Sequence, residues 1–527
     1  MKRILVLPFL ALLPTTAWAG GLFLTSDNCM ACHNGMSSGQ VQDLSIGADW
    51  RPTMMANSAR DPYWQAGVRR ETLDHPKAKS AIEHECSLCH MPMAYVQGKA
   101  VGQAESVFVN LGPAATGLRT LLAQDGVSCT VCHQIQAGNF GKPESFVGGF
   151  SIDTNPAGPR KAMGPFEVKG PVGRVMASAT TFTPEKAPHL RSSELCATCH
   201  TLITQALDGD GNPAGRLPEQ VPYQEWLESS FRQTTTCADC HMPKVVGEVP
   251  MANILAEPRQ GLGRHEFLGG NFMAPGILKA LRDPMPALGQ DLDRDMEKTR
   301  TFLSEKSAIL SIVNPVITDG TLTAMFIVEN LAGHKLPTAY PSRRAWLHVV
   351  VKAKADVVVF ESGALDSAGR IVGNDNDADG TRFEPHHAQL TGPGDVQIYE
   401  AILGDAQGQV TTGLLRATTY LKDNRILPKG FDKAKAASDV VVRGEALADG
   451  DFVGGSDRVG LSVVLPKDVV PVSISVELLY EPIGYRWAEN LRVVGSAEST
   501  RFSRGRDAMR ARSFQRLAVA MANLPSP

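Results

Sequence analysis

Cys129-Thr130-Val131-Cys132-His133 is the middle one of five segments in this 527-residue chain that read C-x-x-C-H. The others begin at Cys29 (CMACH), Cys86 (CSLCH), Cys196 (CATCH) and Cys237 (CADCH). The pattern is the attachment site of a c-type haem. On one helical turn its two thiols face the same way, so each can form a thioether with a vinyl group of one porphyrin. The histidine that follows is held against a face of that ring, where its imidazole can ligate iron. Zinc half-sites built from C-x-x-C require no histidine after the second cysteine, yet histidine follows every time here. The pairs Cys29 and Cys32, Cys86 and Cys89, Cys129 and Cys132, Cys196 and Cys199, and Cys237 and Cys240 use all ten cysteines. No thiol is left for a disulfide. Five covalently attached haem c groups are therefore expected, with His33, His90, His133, His200 and His241 as their first axial ligands.

Each iron then needs a second axial ligand unless it is a reaction site. Eight histidines lie outside the motifs: His75, His84, His189, His265, His334, His348, His386 and His387. Histidine is the common haem ligand, and methionine is the alternative that raises the potential. His75, His189 and His265 stand in loop or helix-start contexts (LDHPKA, APHLRSS, GRHEFLGGN) and are the first candidates. His84 lies two residues before Cys86, too close to reach the far face of its own haem, and is held in reserve for a neighbour. Met55, in DWRPTMMANSARDP, reads as core packing by default. The shortage of histidines in this half makes it a ligand candidate too.

At this length the chain should hold more than one domain. Lys2 and Arg3, the apolar run Ile4 to Leu13, and Ala17-Trp18-Ala19 read as a secretory signal over residues 1–19, cleaved near Ala19. That run is too short to span a bilayer, which takes about 20 residues. A periplasmic or otherwise exported protein is expected, with membrane association not required. The formal charge is -3, and loss of Lys2 and Arg3 makes it -5. Haem propionates add more negative charge, which argues against nucleic acid as a partner.

Residues 20–285 read as a mostly helical, loop-rich haem domain, thin in aromatics, in which porphyrin supplies much of the buried apolar surface. Its Gly/Pro-dense stretch 137–173 reads as a long loop or small hairpin covering a haem face. A linking helix is expected over residues 286–308, since Leu292, Met296 and Leu303 fall at helical spacing. In residues 309–485 the texture changes to strands. Thr321 to Val328, Ala345 to Val351, Val357 to Phe360, Val396 to Ile402, Leu461 to Leu465 and Val472 to Tyr480 suggest an antiparallel, immunoglobulin-like β-sandwich. His348 alternates with Trp346 and Val350, which predicts a packed core histidine. Residues 486–527 read as a helical tail, with Arg504, Arg506, Arg510, Arg512 and Arg516 on a helical pattern between Ser503 and Met521. Such a helix can lie on a membrane, but docking on this acidic protein is the better reading. The fold class is thus multidomain α+β.

Two acidic loops resemble calcium sites. Asp208, Asp210, Asn212 and Glu219 fit an EF-hand-like spacing but carry Pro213 where glycine is wanted. Asp375, Asp377 and Asp379 precede Gly380 correctly, but His386 stands where the loop should end in glutamate. Turn-forming surface acids are the better reading of both.

The segments DWRPTMMANSARDPYW, CSLCHMPM, DGVSCTVCHQI, the histidine ahead of CATCH, and PEQVPYQEWLESSF leading into CADCHMP carry a family likeness. From Cys29 to about Asn271 the chain resembles multihaem cytochromes c of the cytochrome c-554 type, relatives of the hydroxylamine oxidoreductase group. In that group a W-x-x-S-x-H-A segment supplies a distal histidine; here Thr53 stands at the serine and Met55 at the histidine. The resemblance implies that His189 and His265 ligate haems attached elsewhere in the chain, with haems packed in close pairs. GHKLPTAYPSRRAWLHV resembles the segment that follows the haem domain in related cytochromes, so His334 could reach back to cap a haem. Met55, His75, His189, His265 and His334 would then complete five six-coordinate irons. The expected function is electron relay between redox protein partners, with no catalytic residue. The alternative is an oxidoreductase acting on a small nitrogen or sulfur compound at one open iron. The chain has no C-x-x-C-K segment of the kind seen in pentahaem nitrite reductases. A third reading, a subunit of a polymeric haem wire, has only the β domain's strand edges behind it.

Overall fold

The computed structural model describes residues 21–524 apart from 38–42, 113, 156–158, 282–288 and 468–469. The expected signal, residues 1–19, lies outside the described residues. No helix among the described residues is long and apolar enough to cross a membrane.

The first half is built of short helices whose ends are set by their sequence. Helix α1 (Ser26–Met30) carries Cys29. Helix α2 (Pro62–Asp74) starts where Asp61 accepts from the N–H groups of Tyr63 and Trp64, with Pro62 at its first position. Helix α3 (Lys79–His90) bears the second motif and ends at Met91, whose successor Pro92 disfavours helical backbone before it. Helices α4 (Cys129–Cys132) and α5 (Ser193–Ala197) carry the third and fourth motifs. A hairpin of β1 (Leu202–Leu207) and β2 (Pro213–Gln220) follows, then helix α6 (Pro222–Leu227). Helix α7 (Cys237–His241) holds the fifth motif and is opened by a reciprocal cap between Thr236 and Asp239. The Gly/Pro-dense stretch is more structured than its composition suggests. It contains strand Arg160–Gly164, which pairs in parallel with Phe182–Lys186, and leads into helix Gly170–Thr180.

Helix α8 (Met273–Ala280) packs on helix α9 (Gly289–Lys306), which sits where the linking helix was expected. The strands that follow are β3 (Ala308–Thr318), β4 (Thr321–Asn330), β5 (Arg344–Ala353), β6 (Val358–Ser362), β7 (Ile398–Asp405), β8 (Ala417–Asp423), β9 (Ser456–Val464) and β10 (Pro471–Glu481). They form two sheets. One is a sheet of Gln389–Leu390, β9, β4 and β3 in that order; the other runs Val410–Thr411, β7, β5, β10, with β6 also on β5 and β8 also on β7. Leu322, Phe326 and Val328 of one sheet share a core with Leu347, Val349, Ile474 and Val476 of the other. The alternation of these residues along each strand places one apolar face of each sheet inside.

Two expectations about this half are corrected. The basic tail is not one helix. Helix α10 (Ala497–Ala508) ends early, and Gln515–Asn523 form β11, antiparallel to β10 in the larger sheet. Small residues decide this: Ala518, Ala520 and Ala522 alternate against the core, a period that suits a strand closing on β10. The arginines face local carboxylates: Arg510 pairs Asp507 at 2.7 Å, Arg516 pairs Glu477 at 2.9 Å, and Arg512 pairs Glu297. Helix α10 itself packs on α2, where Arg69 and Glu498 meet at 2.8 Å. His348 is not packed in the core either. It lies on the outer face of β5, bracketed by Glu361 at 2.9 Å and Glu477 at 3.4 Å, because the inner face belongs to Leu347 and Val349.

Candidate haem sites

Each motif folds as a helical turn. The N–H of His33, His133 and His200 donates to the carbonyl of the cysteine four residues earlier, at 3.0, 3.1 and 2.9 Å. That turn puts both thiols and the ring on one side. All ten thiols are free of disulfides; burial pushes Cys132 up to about 12, while the contact with the Cys196 thiol brings Cys237 down to about 7. The motifs also meet in space: the Cys29 and Cys129 thiols touch, as do those of Cys196 and Cys237.

One local geometry recurs among the motif histidines. The Nδ1 of His33 faces the Met251 carbonyl at 2.7 Å, that of His90 faces Ser58 at 3.0 Å, and that of His133 faces Met163 at 2.5 Å. His241 does the same with Leu268. A carbonyl only accepts, so Nδ1 must carry the proton and Nε2 keeps its lone pair. Burial adds to this by pushing His90 and His241 down to about 4, which keeps both rings neutral. A neutral ring with a free Nε2 is the form that binds iron.

Three histidines outside the motifs share this geometry. His265 donates from Nδ1 to the Gly263 carbonyl at 3.1 Å, His334 to Lys335 at 2.9 Å, and His75 to Asp208 at 3.2 Å. Two of them face a motif histidine. The ring centroids of His133 and His265 are 6.4 Å apart with planes 19° from parallel. Those of His241 and His334 are 6.2 Å apart at 14°. A metal sits about 2 Å from each ligating imidazole nitrogen, and the ring centre lies roughly 1 Å beyond it. Two imidazoles on opposite sides of one iron therefore have centroids about 6 Å apart, the spacing of both pairs. His75 is 2% exposed, and its Nε2 has no hydrogen-bond partner. Glu71 Oε2, also without a hydrogen-bond partner, lies 4.0 Å from it, and burial pushes Glu71 up to about 7.

The remaining candidates differ. His189 points Nε2 at the Ile135 carbonyl at 2.7 Å, so the nitrogen left for a metal is Nδ1. His84 accepts the Glu105 N–H at Nδ1 (3.1 Å) and stacks on Tyr95, so its Nε2 carries the proton. Met55 is half-buried in a turn whose geometry depends on its backbone, the carbonyl accepting from Val127 at 2.9 Å. His387 bonds Glu384 at 2.7 Å. His386, Asp449 and Asp457 lie close enough to hold a cation. However, Gln397 and Asn424 both donate amide hydrogens to His386 Nδ1, at 2.8 and 3.0 Å. That forces the proton onto Nε2, which faces Asp449 at 3.1 Å as a hydrogen-bond donor.

The two loops with calcium-like spacing are turns held by their own acids. Asp208 accepts from the N–H groups of Asp210 and Asn212, and Asp210 pairs Lys77 at 2.7 Å. Glu219 is on β2, bonded to Thr204. Asp377 is taken by Arg344 through two bonds at 2.8 and 2.9 Å, and Asp379 caps Thr381. The partners that orient the histidines are backbone carbonyls, distant in sequence for His33, His75, His90, His133 and His241 and adjacent or nearly so for His265 and His334. Sequence reasoning missed them because a carbonyl carries no residue signature.

No family profile and no curated protein matches this chain. Among solved structures it is similar to a penta-heme cytochrome c552 from Thermochromatium tepidum, at 17% identity and a TM-score of 0.53, over 95% of this chain and 98% of that one. At such identity the likeness is one of fold, and it extends through both the motif-bearing half and the two sheets.

Proposed function

We propose that the protein is an exported, periplasmic pentahaem c-type cytochrome that relays electrons between redox protein partners. The observation that carries this reading is the pairing of His133 with His265 and of His241 with His334 across the width of one iron. When bound, haem supplies reversible one-electron exchange. The chain's own residues do the rest. The cysteine pairs would tether the haems and the motif histidines would hold them, with the tautomers of His33, His90, His133 and His241 set by backbone carbonyls. His265 and His334 would be the second side chains to hold haem at the His133 and His241 sites. His75 through Nε2, His189 through Nδ1 and Met55 are the ligands proposed for the irons of His33, His90 and His200. The thiols that touch, Cys29 with Cys129 and Cys196 with Cys237, would bring their haems edge to edge, as a relay needs.

One observation favours the enzymatic alternative, oxidation or reduction of a small nitrogen or sulfur compound. Glu71, Glu219 and Tyr340 are buried close together near Cys86, and Glu71 is poised to exchange a proton near neutral pH. Electron paramagnetic resonance of the oxidised holoprotein, with carbon monoxide titration of the reduced form, separates the two readings. The relay predicts low-spin signals only and no carbon monoxide uptake. A high-spin ferric signal with uptake at one haem would overturn it in favour of the enzyme. Protein sequencing of the exported form should find a mature chain beginning near Gly20.

A further inference from the structure

His334 lies on the loop between β4 and β5, in the half of the chain that carries no cysteine, and everything beside it is held by buried charge. Lys335 is 0% exposed. Its Nζ donates to Asp423 Oδ2 at 2.7 Å, and its backbone N–H donates to Glu225 Oε2 at 3.1 Å. The Thr338 hydroxyl donates to that same Glu225 oxygen. Arg425 closes the group, 3.0 Å from Glu225 Oε1 and 2.8 Å from Asp423 Oδ2. Two acids and two bases thus balance without solvent. Leu336 and Ile426 exchange backbone bonds in both directions at 2.9 Å. Asn330 holds the His334 carbonyl at 2.8 Å and the Ile426 carbonyl at 2.9 Å.

The elements joined this way matter. Glu225 is on α6, twelve residues before the first cysteine of the CADCH motif, while Asp423 ends β8 and Arg425 follows it. The four charges therefore tie the loop both to the helix leading into CADCH and to the large sheet. Replacing such a group with well-packed apolar residues is often neutral or stabilising, so its presence is weak evidence of a stabilising role. What it does supply is a single position. Lys335 is fixed at both its backbone and its side chain, and the Nδ1 of His334 bonds the carbonyl of this fixed residue at 2.9 Å.

We infer that the buried quartet Glu225, Lys335, Asp423 and Arg425 is the positioning device that holds His334 across from His241. Lys335 is its central positioning residue. The inference rests on the reading of His334 as an axial ligand, and it extends that reading to how the ligand is kept in place.

The test uses the full-length holoprotein and counts open irons relative to wild type. His334→Ala should add one haem equivalent of high-spin ferric signal and of carbon monoxide uptake. If it adds none, the ligand reading itself fails. Lys335→Met should weaken the hold of His334 at that same haem about tenfold or more, the scale of losses when an outer-shell partner of a metal ligand is removed, read as carbon monoxide uptake that the wild type lacks. Lys335→Arg should restore much of the difference. Glu225→Gln, which weakens the hold on the Lys335 N–H while sparing the buried lysine, serves if Lys335→Met fails to assemble, and should act in the same direction. Suppose His334→Ala opens a haem, yet Lys335→Met and Glu225→Gln only lower the unfolding temperature, with spin state and carbon monoxide uptake unchanged. The quartet would then be structural, and the inference would be overturned.

Discussion

The ring nitrogen that carries the proton sorts the histidines of this molecule into two groups. His75, His265 and His334 spend Nδ1–H on a backbone carbonyl and keep Nε2 free, as the motif histidines His33, His90, His133 and His241 do. His84 and His386 accept at Nδ1 and so must carry their proton on Nε2. A direct consequence follows at residue scale. His265→Ala should convert the haem tethered at Cys129 and Cys132 to a high-spin, carbon monoxide-binding form. His84→Ala should leave the spin state as it is. Magnetic circular dichroism of the two variants checks both, and a spin change in His84→Ala alone would reverse the assignment. The sequence made all nine of these rings visible, four inside the motifs and five outside them. It could not rank the five, because the ranking depends on which group each Nδ1 meets, and partners such as Asp208 and Gln397 are brought up by folding.

At the scale of the element, helix α9 and strand β11 make opposite lessons. The spacing of Leu292, Met296 and Leu303 predicted α9 because all three face one side, and all three are buried. The same helix buries Asp295, which burial pushes up to about 7. An acid whose folded value lies above its unfolded value of about 4 adds stability below that value and loses it as pH rises through about 7. Asp295→Asn should therefore stabilise the protein by roughly 1–3 kcal/mol at pH 8 and change little at pH 4. Denaturant midpoints at the two pH values test the sign. Strand β11 was hidden because Arg516 continues the helical spacing of Arg504, Arg506, Arg510 and Arg512, although the chain from Gln515 is extended. What settles it is pairing with β10, a contact of long sequence separation that no local pattern reports. Leu517 anchors that strand at 2% exposure, so Leu517→Ala should cost about 2–4 kcal/mol, read as a lower unfolding temperature.

For the whole molecule, the two halves share one apolar core. Helix α10 returns to pack on α2, and Phe502, Ile277 and Leu478 belong to one continuous core. The buried quartet around Lys335 adds a charged joint to that apolar one. Burial pulls the Lys335 ammonium below the usual lysine value. Burial alone would raise Asp423, but Arg425 and then Lys335 outweigh it and hold its carboxyl far below the ordinary range. Removing one member leaves the rest uncompensated in a dry site. Lys335→Met should cost about 3–5 kcal/mol. It should lower the unfolding midpoints seen by haem absorbance and by β-sheet circular dichroism together. A midpoint shift confined to one probe would mean that the halves unfold independently.

The sequence alone determined the chemistry of attachment. C-x-x-C-H is read locally, within one helical turn, so five motifs can be recognised without knowing where the chain goes next. It likewise marked the change from helices to strands near residue 308, because helical and strand periods differ over a few residues. Only the tertiary structure decided which histidine stands across from which. His133 and His265 are far apart along the chain, and His241 meets a ring from beyond the helix that ends the first half. Such pairings are set by packing and by buried charge acting between distant segments, and neither leaves a mark in a short window of sequence.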